Sequence, residues 1–349
     1  MEGVVELAAK HDLAHLLLTG VKNNGLVDPK SPIIAILKRT RMLAVYRDER
    51  MTQTLKEIGG ILESSRISYL LLKGSVIRDY YPETWLRTSG DIDLLVTEKN
   101  IDEVVWLLEQ NGYRESRRGS HDISLFSPSG QHVEVHYRLL EDEKDTAYSI
   151  LEGVWSRSIT RKPNTLCHEM DDEMLYFYHI VHMAKHFKSG GCGIRSFIDL
   201  WLLKQKGIRS ERFLEKSNLK RFEEVCLRLC AVWFDREEHD ETTKILEEFV
   251  INGGVYGNVE NRVEVGQSIN GGKFRYAFSR IFPPYSLLIQ RYPILRKKAY
   301  LFPIYQVVRW IELLIGRRIK RGVAELRIGG SVSKTQNERM TELLLKIGL

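Results

Sequence analysis

The sequence predicts an α+β protein: a small mixed sheet flanked by mostly helical N- and C-terminal segments. Three observations carry this. Apolar residues recur at helical spacing through the first sixty positions. The stretch from about 61 to 150 switches to short apolar runs and period-two alternation, broken by turn residues. From about Asp171 the helical period returns. The expected organisation is a helical segment at 1–60, a mixed α/β core at 61–150, a helical domain at 151–260 and a basic helical segment at 261–349. Composition agrees, with 43% hydrophobic and 28% charged residues in 349. That excludes collagen-like, coiled-coil and largely disordered classes.

The elements follow in order. Leu13, Leu16 and Leu17 mark a first helix, and Ser31-Pro32 opens a long second one with Pro at its first position. Ile67 to Leu72 reads as a buried strand ending in the tight turn Lys73-Gly74-Ser75. A short helix from Val76 to Tyr81 stops at Pro82, and a second strand runs from Asp91 to Val96. Asn100 with Glu103 resembles a capping box, and Gly112 closes that helix. Strands at His121–Phe126 and His132–Arg138 are joined by Ser127-Pro128-Ser129-Gly130, strong turn chemistry.

Strand alternation puts Asp91 and Asp93 on one face, roughly 6.6 Å apart, with Ile92, Leu94 and Val96 on the other. His132, Glu134 and His136 likewise share a face. If these two strands are neighbours, Glu134 becomes a third carboxylate beside the pair. Such hard oxygen ligands suit Mg²⁺, which takes one or two carboxylates together with substrate phosphates. Upstream, the Gly74-Ser75 turn offers backbone N–H groups and a hydroxyl to a phosphate chain, with Lys73 and Arg87 as nearby cations. Each feature alone is common. Their order, Gly-Ser after a strand, then Asp-x-Asp, then a later strand carboxylate, describes a nucleoside triphosphate site.

That pattern resembles the polymerase-β-type nucleotidyltransferase superfamily. Leu72-Lys73-Gly74-Ser75, Tyr81-Pro82, Arg87, Asp91 to Val96 and Val133-Glu134-Val135-His136 are similar to the uncharacterised nucleotidyltransferase family of bacteria and archaea. So are His182-x-x-x-His186, Asp199-Leu200-Trp201, Gly254-Val255-Tyr256-Gly257 and Phe282-Pro283-Pro284 through Tyr292-Pro293, a likeness spanning roughly 40 to 315. The resemblance implies a polymerase-β-like fold, an NTP substrate and two Mg²⁺ ions. Asp91, Asp93 and Glu134 would be the catalytic, metal-binding carboxylates, and Gly74 and Ser75 would hold the phosphates. It leaves the acceptor open: a small molecule, a peptide or protein, or RNA.

Around this core, His136 is expected to orient Glu134 by hydrogen bonding. His179, His182 and His186 form one helical stripe. A zinc reading lacks the Glu of HExxH, so a hydrogen-bonded network with Asp199 is the simpler expectation. Four scattered cysteines without CxxC, no basic, apolar leader and no run of about 20 apolar residues suit a cytoplasmic protein without a membrane span. The net charge of +6 is local: ten Lys/Arg against two Glu lie between Gln290 and Gly330. The expected reaction is Mg²⁺-dependent transfer of a nucleoside monophosphate from NTP, releasing pyrophosphate. The alternatives are a phosphotransferase on the same scaffold, or a nucleic-acid-binding module using the basic 290–330 segment.

Overall fold

The structure is a computed structural model, and it describes residues 1–255, 257–292, 294–315, 325 and 327–349. Tyr256 and Pro293 of the family-like motifs, and Arg317, Arg318, Lys320 and Arg321 of the basic segment, lie outside the described residues. Two compact units emerge: Met1–His182 with Ile194–Cys230, and Met183–Gly193 with Ala231–Leu349.

The first unit is built on a seven-stranded mixed sheet. Its strands are β1 (Tyr69–Leu71), β2 (Asp91–Leu95), β3 (Arg114–Arg118), β4 (Asp122–Phe126), β5 (His132–His136), β6 (Ser158–Thr160) and β7 (Cys167–Met170), in the order β3-β4-β5-β2-β1-β7-β6. β2 runs parallel to β5 and β1 parallel to β7, while the other pairs are antiparallel. The four expected strands are present. β3, β6 and β7 are additional, because the apolar alternation that flags a strand is missing from them. β3 reads Arg-Glu-Ser-Arg-Arg and is exposed at the sheet edge, where charged side chains discourage pairing with another chain.

Alternation divides the sheet into two chemical faces. Ile92, Leu94, Ile123, Leu125, Val133 and Val135 are fully buried on one face, each contributing about 1.5–3 kcal/mol by leaving water. Behind them run α1 (Pro32–Ser64) and α2 (Ile101–Gln110), which presents Ile101, Val104, Val105 and Leu108 inward. Ser31 caps α1 as expected, its hydroxyl accepting from the Ile33 N–H at 3.3 Å. Asn100 sits at the cap of α2 but its side chain makes no capping bond. Gly112, at φ +84°, then turns the chain out of that helix. Gly59 allows α1 to approach β1: a Cβ there would meet the Tyr69 hydroxyl at 2.8 Å.

The opposite face carries Asp91 and Asp93, faced by α3 (Asp172–Lys188). The chain then adds α4 (Ile194–Gln205). In the second unit, helices Val259–Asn270 and Lys273–Ile281 enclose a small core of Val263, Tyr276 and Val332. Gln267 ties this core to the Gly329 carbonyl at 2.8 Å.

Candidate active site

The β2–β5 register decides how the carboxylates meet. Asp91 pairs with His132, Asp93 with Glu134 and Leu95 with His136. Glu134 is therefore the cross-strand neighbour of Asp93, and Asp91 lies two residues along the same face. The adjacency on which the three-carboxylate expectation depended is present.

Within this group, Asp93, Glu134 and His136 place one ligand atom each within 4.8 Å of one another. His136 Nε2 lies 3.1 Å from Asp93 Oδ1 and 3.6 Å from Glu134 Oε2, so one imidazole touches both carboxylates. Lys73 Nζ approaches Asp93 Oδ2 at 3.5 Å. The Ser89 hydroxyl donates to Asp91 Oδ1 at 3.2 Å. At the rim, Arg117 reaches Glu134 Oε1 at 4.0 Å and pairs closely with the buried Asp122.

The charges follow from these contacts. Burial would raise the Asp93 carboxyl, but Lys73 and the His136 hydrogen bond outweigh it and hold Asp93 well below the usual carboxylate range. Asp91 moves the other way, raised by burial and by the negative charge of Asp93, with Lys73 opposing. Burial would lower the pKa of His136, yet hydrogen bonds to Asp93 and Glu134 leave it raised. Three acidic side chains beside one half-buried ammonium form a site that favours added positive charge.

The donor set fits a divalent metal: carboxylate oxygens of Asp93 and Glu134 and the His136 imidazole converge from adjacent strands.

The Lys73-Gly74-Ser75 turn is more particular than the sequence suggested. Ser75 N–H donates to Leu72 O at 3.1 Å and Val76 N–H to Lys73 O at 3.0 Å, so the turn itself uses those donors. The Ser75 hydroxyl, by contrast, is buried with no hydrogen-bond partner. Lys73 holds φ +33° and ψ −103°, a strained conformation for a side chain with a Cβ, which costs about 1–3 kcal/mol. Gly74 is required by close approach: a Cβ would lie 2.8 Å from Arg87 Nη1 and 2.9 Å from Ser89 Oγ.

Arg87 explains why that contact is unyielding. Its guanidinium grips Asp199 on α4 with two bonds, Nε to Oδ1 at 2.9 Å and Nη2 to Oδ2 at 2.7 Å. The Tyr81 hydroxyl donates to the same Oδ1 at 2.7 Å. Burial would raise the Asp199 carboxyl, but Arg87 overrides it and holds Asp199 below its ordinary range. The bonds at Asp199 therefore come from Arg87 and Tyr81, where the sequence had pointed to the histidine stripe. His179 Nε2 bonds to the Ser196 carbonyl at 2.9 Å. The His182 ring lies 6.4 Å from that of Tyr178. His186, a turn further along α3, belongs to the second unit and accepts the Gly191 N–H on its carbonyl at 2.9 Å.

Sequence reasoning missed Tyr178. It is buried on α3 and interacts electrostatically with Lys73, Asp93 and Glu134. Its hydroxyl is pushed up to about 12 by burial, with the two carboxylates adding and Lys73 opposing. Among the helix's many apolar positions it carries no local signal, and only the fold brings it to the carboxylates. Arg117 was missed for the reason that β3 was.

Residues 1–235 match the family described as "Uncharacterised nucleotidyltransferase". The chain belongs to that family. Two solved structures are similar to it at low identity. The antibiotic-resistance factor ANT(2'')-Ia, determined in solution, is 13% identical; the match covers 55% of this chain and 100% of that one, with a TM-score of 0.37. A CCA-adding enzyme in its apo form I is 15% identical, over 88% of this chain and 84% of that one, with a TM-score of 0.29. No curated protein matches the chain. No helix among the described residues is long and apolar enough to cross a membrane.

Proposed function

We propose that this nucleotidyltransferase-family chain transfers a nucleoside monophosphate from an NTP to an acceptor in a Mg²⁺-dependent reaction. The observation that carries the reading is the β2–β5 register, which sets Glu134 across from Asp93 with Asp91 on the same face. Mg²⁺ held by Asp91, Asp93 and Glu134, as a pair of ions, would neutralise the triphosphate and favour the ionised form of the attacking oxygen.

The chain's own residues do the rest. His136 fixes the Asp93 carboxylate in place through the 3.1 Å bond. Lys73, beside Asp93, offsets triphosphate charge. The Gly74-Ser75 turn lies against the phosphates, with the Ser75 hydroxyl, unpartnered within the protein, as its spare donor. Arg87 contributes by bracing the turn, since its Nη1 backs Gly74 while Asp199 holds it. Glu134, whose side chain is 23% exposed, would meet the acceptor oxygen. The acceptor oxygen bonds to the α-phosphorus, the bond from that phosphorus to the bridging oxygen breaks, and pyrophosphate leaves.

Isothermal titration with a non-hydrolysable NTP analogue tests the site without an acceptor. The analogue should bind only with Mg²⁺, and Asp93→Asn should abolish binding while the fold persists. Equal binding by the variant would refute the assignment.

A further inference from the structure

We infer that the second unit carries a docking surface for an anionic lipid membrane, independent of the reaction assigned to the first unit. From Gly271 to Glu312 the chain holds eight cations, Lys273, Arg275, Arg280, Arg291, Arg296, Lys297, Lys298 and Arg309, against the single acid Glu312. Some of this charge is used internally. Arg280 pairs with Glu325 at 2.7 Å and Arg291 with Glu312 at 2.5 Å, and Arg309 donates to the Arg280 and Ile281 carbonyls. Arg275, Arg296, Lys297 and Lys298 are exposed, with no carboxylate partner among the described residues.

The same stretch of chain carries apolar side chains that the protein leaves in water. On helix Lys273–Ile281, Phe274 is 92% exposed and Phe278, one turn on, 64%. On helix Phe302–Ile315, Ile304, Val307 and Ile311 recur at helical spacing with exposures of 56%, 48% and 49%. Tyr300 just before them is 73% exposed. The two helices are tied together: Trp310 Nε1 donates to the Ile281 carbonyl at 2.9 Å, and its ring meets Phe282 with centroids 5.1 Å apart. Exposed apolar residues gathered this way mark an interaction surface, whereas scattered ones are ordinary.

Charge complementarity selects the occupant. Unpaired cations and exposed aromatic and aliphatic side chains in one segment match an anionic bilayer, where headgroups take the charge and the interface takes the apolar groups. Single-stranded nucleic acid would use the cations and the Phe rings. It has no use for Ile304, Val307 and Ile311, which offer no flat face for stacking. The surface therefore fits lipid better than nucleic acid.

Vesicle flotation of the full chain tests this. The protein should float with phosphatidylcholine vesicles containing phosphatidylglycerol, stay behind with phosphatidylcholine alone, and release as salt rises. Neutralising Arg296, Lys297 and Lys298 to glutamine should weaken binding about a hundredfold, at about fivefold per cation near the surface. Phe274→Ser with Ile304→Ser removes two exposed groups outside the core and should weaken it about tenfold or more, with circular dichroism unchanged. Failure to float with anionic vesicles overturns the inference. So does flotation unaffected by the apolar pair, or tighter binding to a single-stranded RNA that competes with the vesicles.

Discussion

Replacing Asp199 with asparagine keeps the shape of the side chain and removes its charge. The native carboxylate is 1% exposed and takes two bonds from Arg87, itself 9% exposed. The variant leaves a buried guanidinium without a counter-ion, a change that costs about 3–5 kcal/mol. With a urea dependence of roughly 2–3 kcal/mol per molar, the unfolding midpoint of the transition containing this unit should fall by about 1–2.5 M. The pH dependence has a definite sign. Asp199 is depressed in the folded protein, so its contribution is complete above the unfolded carboxyl value near about 4 and is lost as pH falls through the folded value. The gap between wild type and variant should therefore be widest at neutral pH and shrink on acidification. Replacing both partners, Arg87→Met with Asp199→Leu, should recover much of the stability but not nucleotide binding, because the brace behind Gly74 is gone. Urea unfolding followed by tryptophan fluorescence measures each variant. An Asp199→Asn unfolding free energy within about 0.5 kcal/mol of wild type would refute the claim that this pair holds Arg87 in place.

Other outcomes follow from the same contacts. Gly74→Ala should cost about 1–3 kcal/mol and weaken NTP binding, because its Cβ meets a guanidinium that cannot retreat; calorimetry checks both. His136→Ala should weaken Mg²⁺ binding about 10–100-fold by releasing Asp93, read by titration with Mn²⁺ as a spectroscopic substitute. Lys73→Met should destabilise the metal-free protein and make its melting temperature rise more steeply with Mg²⁺ than that of wild type, since the ion would then be the chief counter-charge for Asp93. An unchanged Mg²⁺ response would contradict that role for Lys73.

The carboxylate strand was legible because its alternation is complete: Asp91 and Asp93 on one face, Ile92 and Leu94 fully buried on the other. Glu134 was legible as a conditional, resolved only by the register between β2 and β5. The polar edge strand β3 was not legible, as five charged or hydroxyl side chains carry no core-facing pattern. Arg87 was read as a cation for phosphate from its nearness in sequence. Its bidentate grip on Asp199 depends on an element more than a hundred residues away, which no local pattern encodes. Tyr178 was hidden for the same reason. The turn chemistry was half legible: Gly74-Ser75 stands out, but that the turn occupies the Ser75 and Val76 N–H groups and leaves the hydroxyl unpartnered is a property of the folded backbone.

The most direct test of the central claim follows the phosphorus atoms. Wild-type protein and Asp93→Asn are incubated with Mg²⁺, cell extract as a source of acceptors, and NTP labelled at either the α- or the γ-position. Nucleotidyl transfer predicts α-label on an acceptor, with pyrophosphate released in equal amount and no transfer by the variant. Label arriving only from the γ-position, with nucleoside diphosphate as by-product, would contradict it and assign the carboxylate site to phosphoryl transfer.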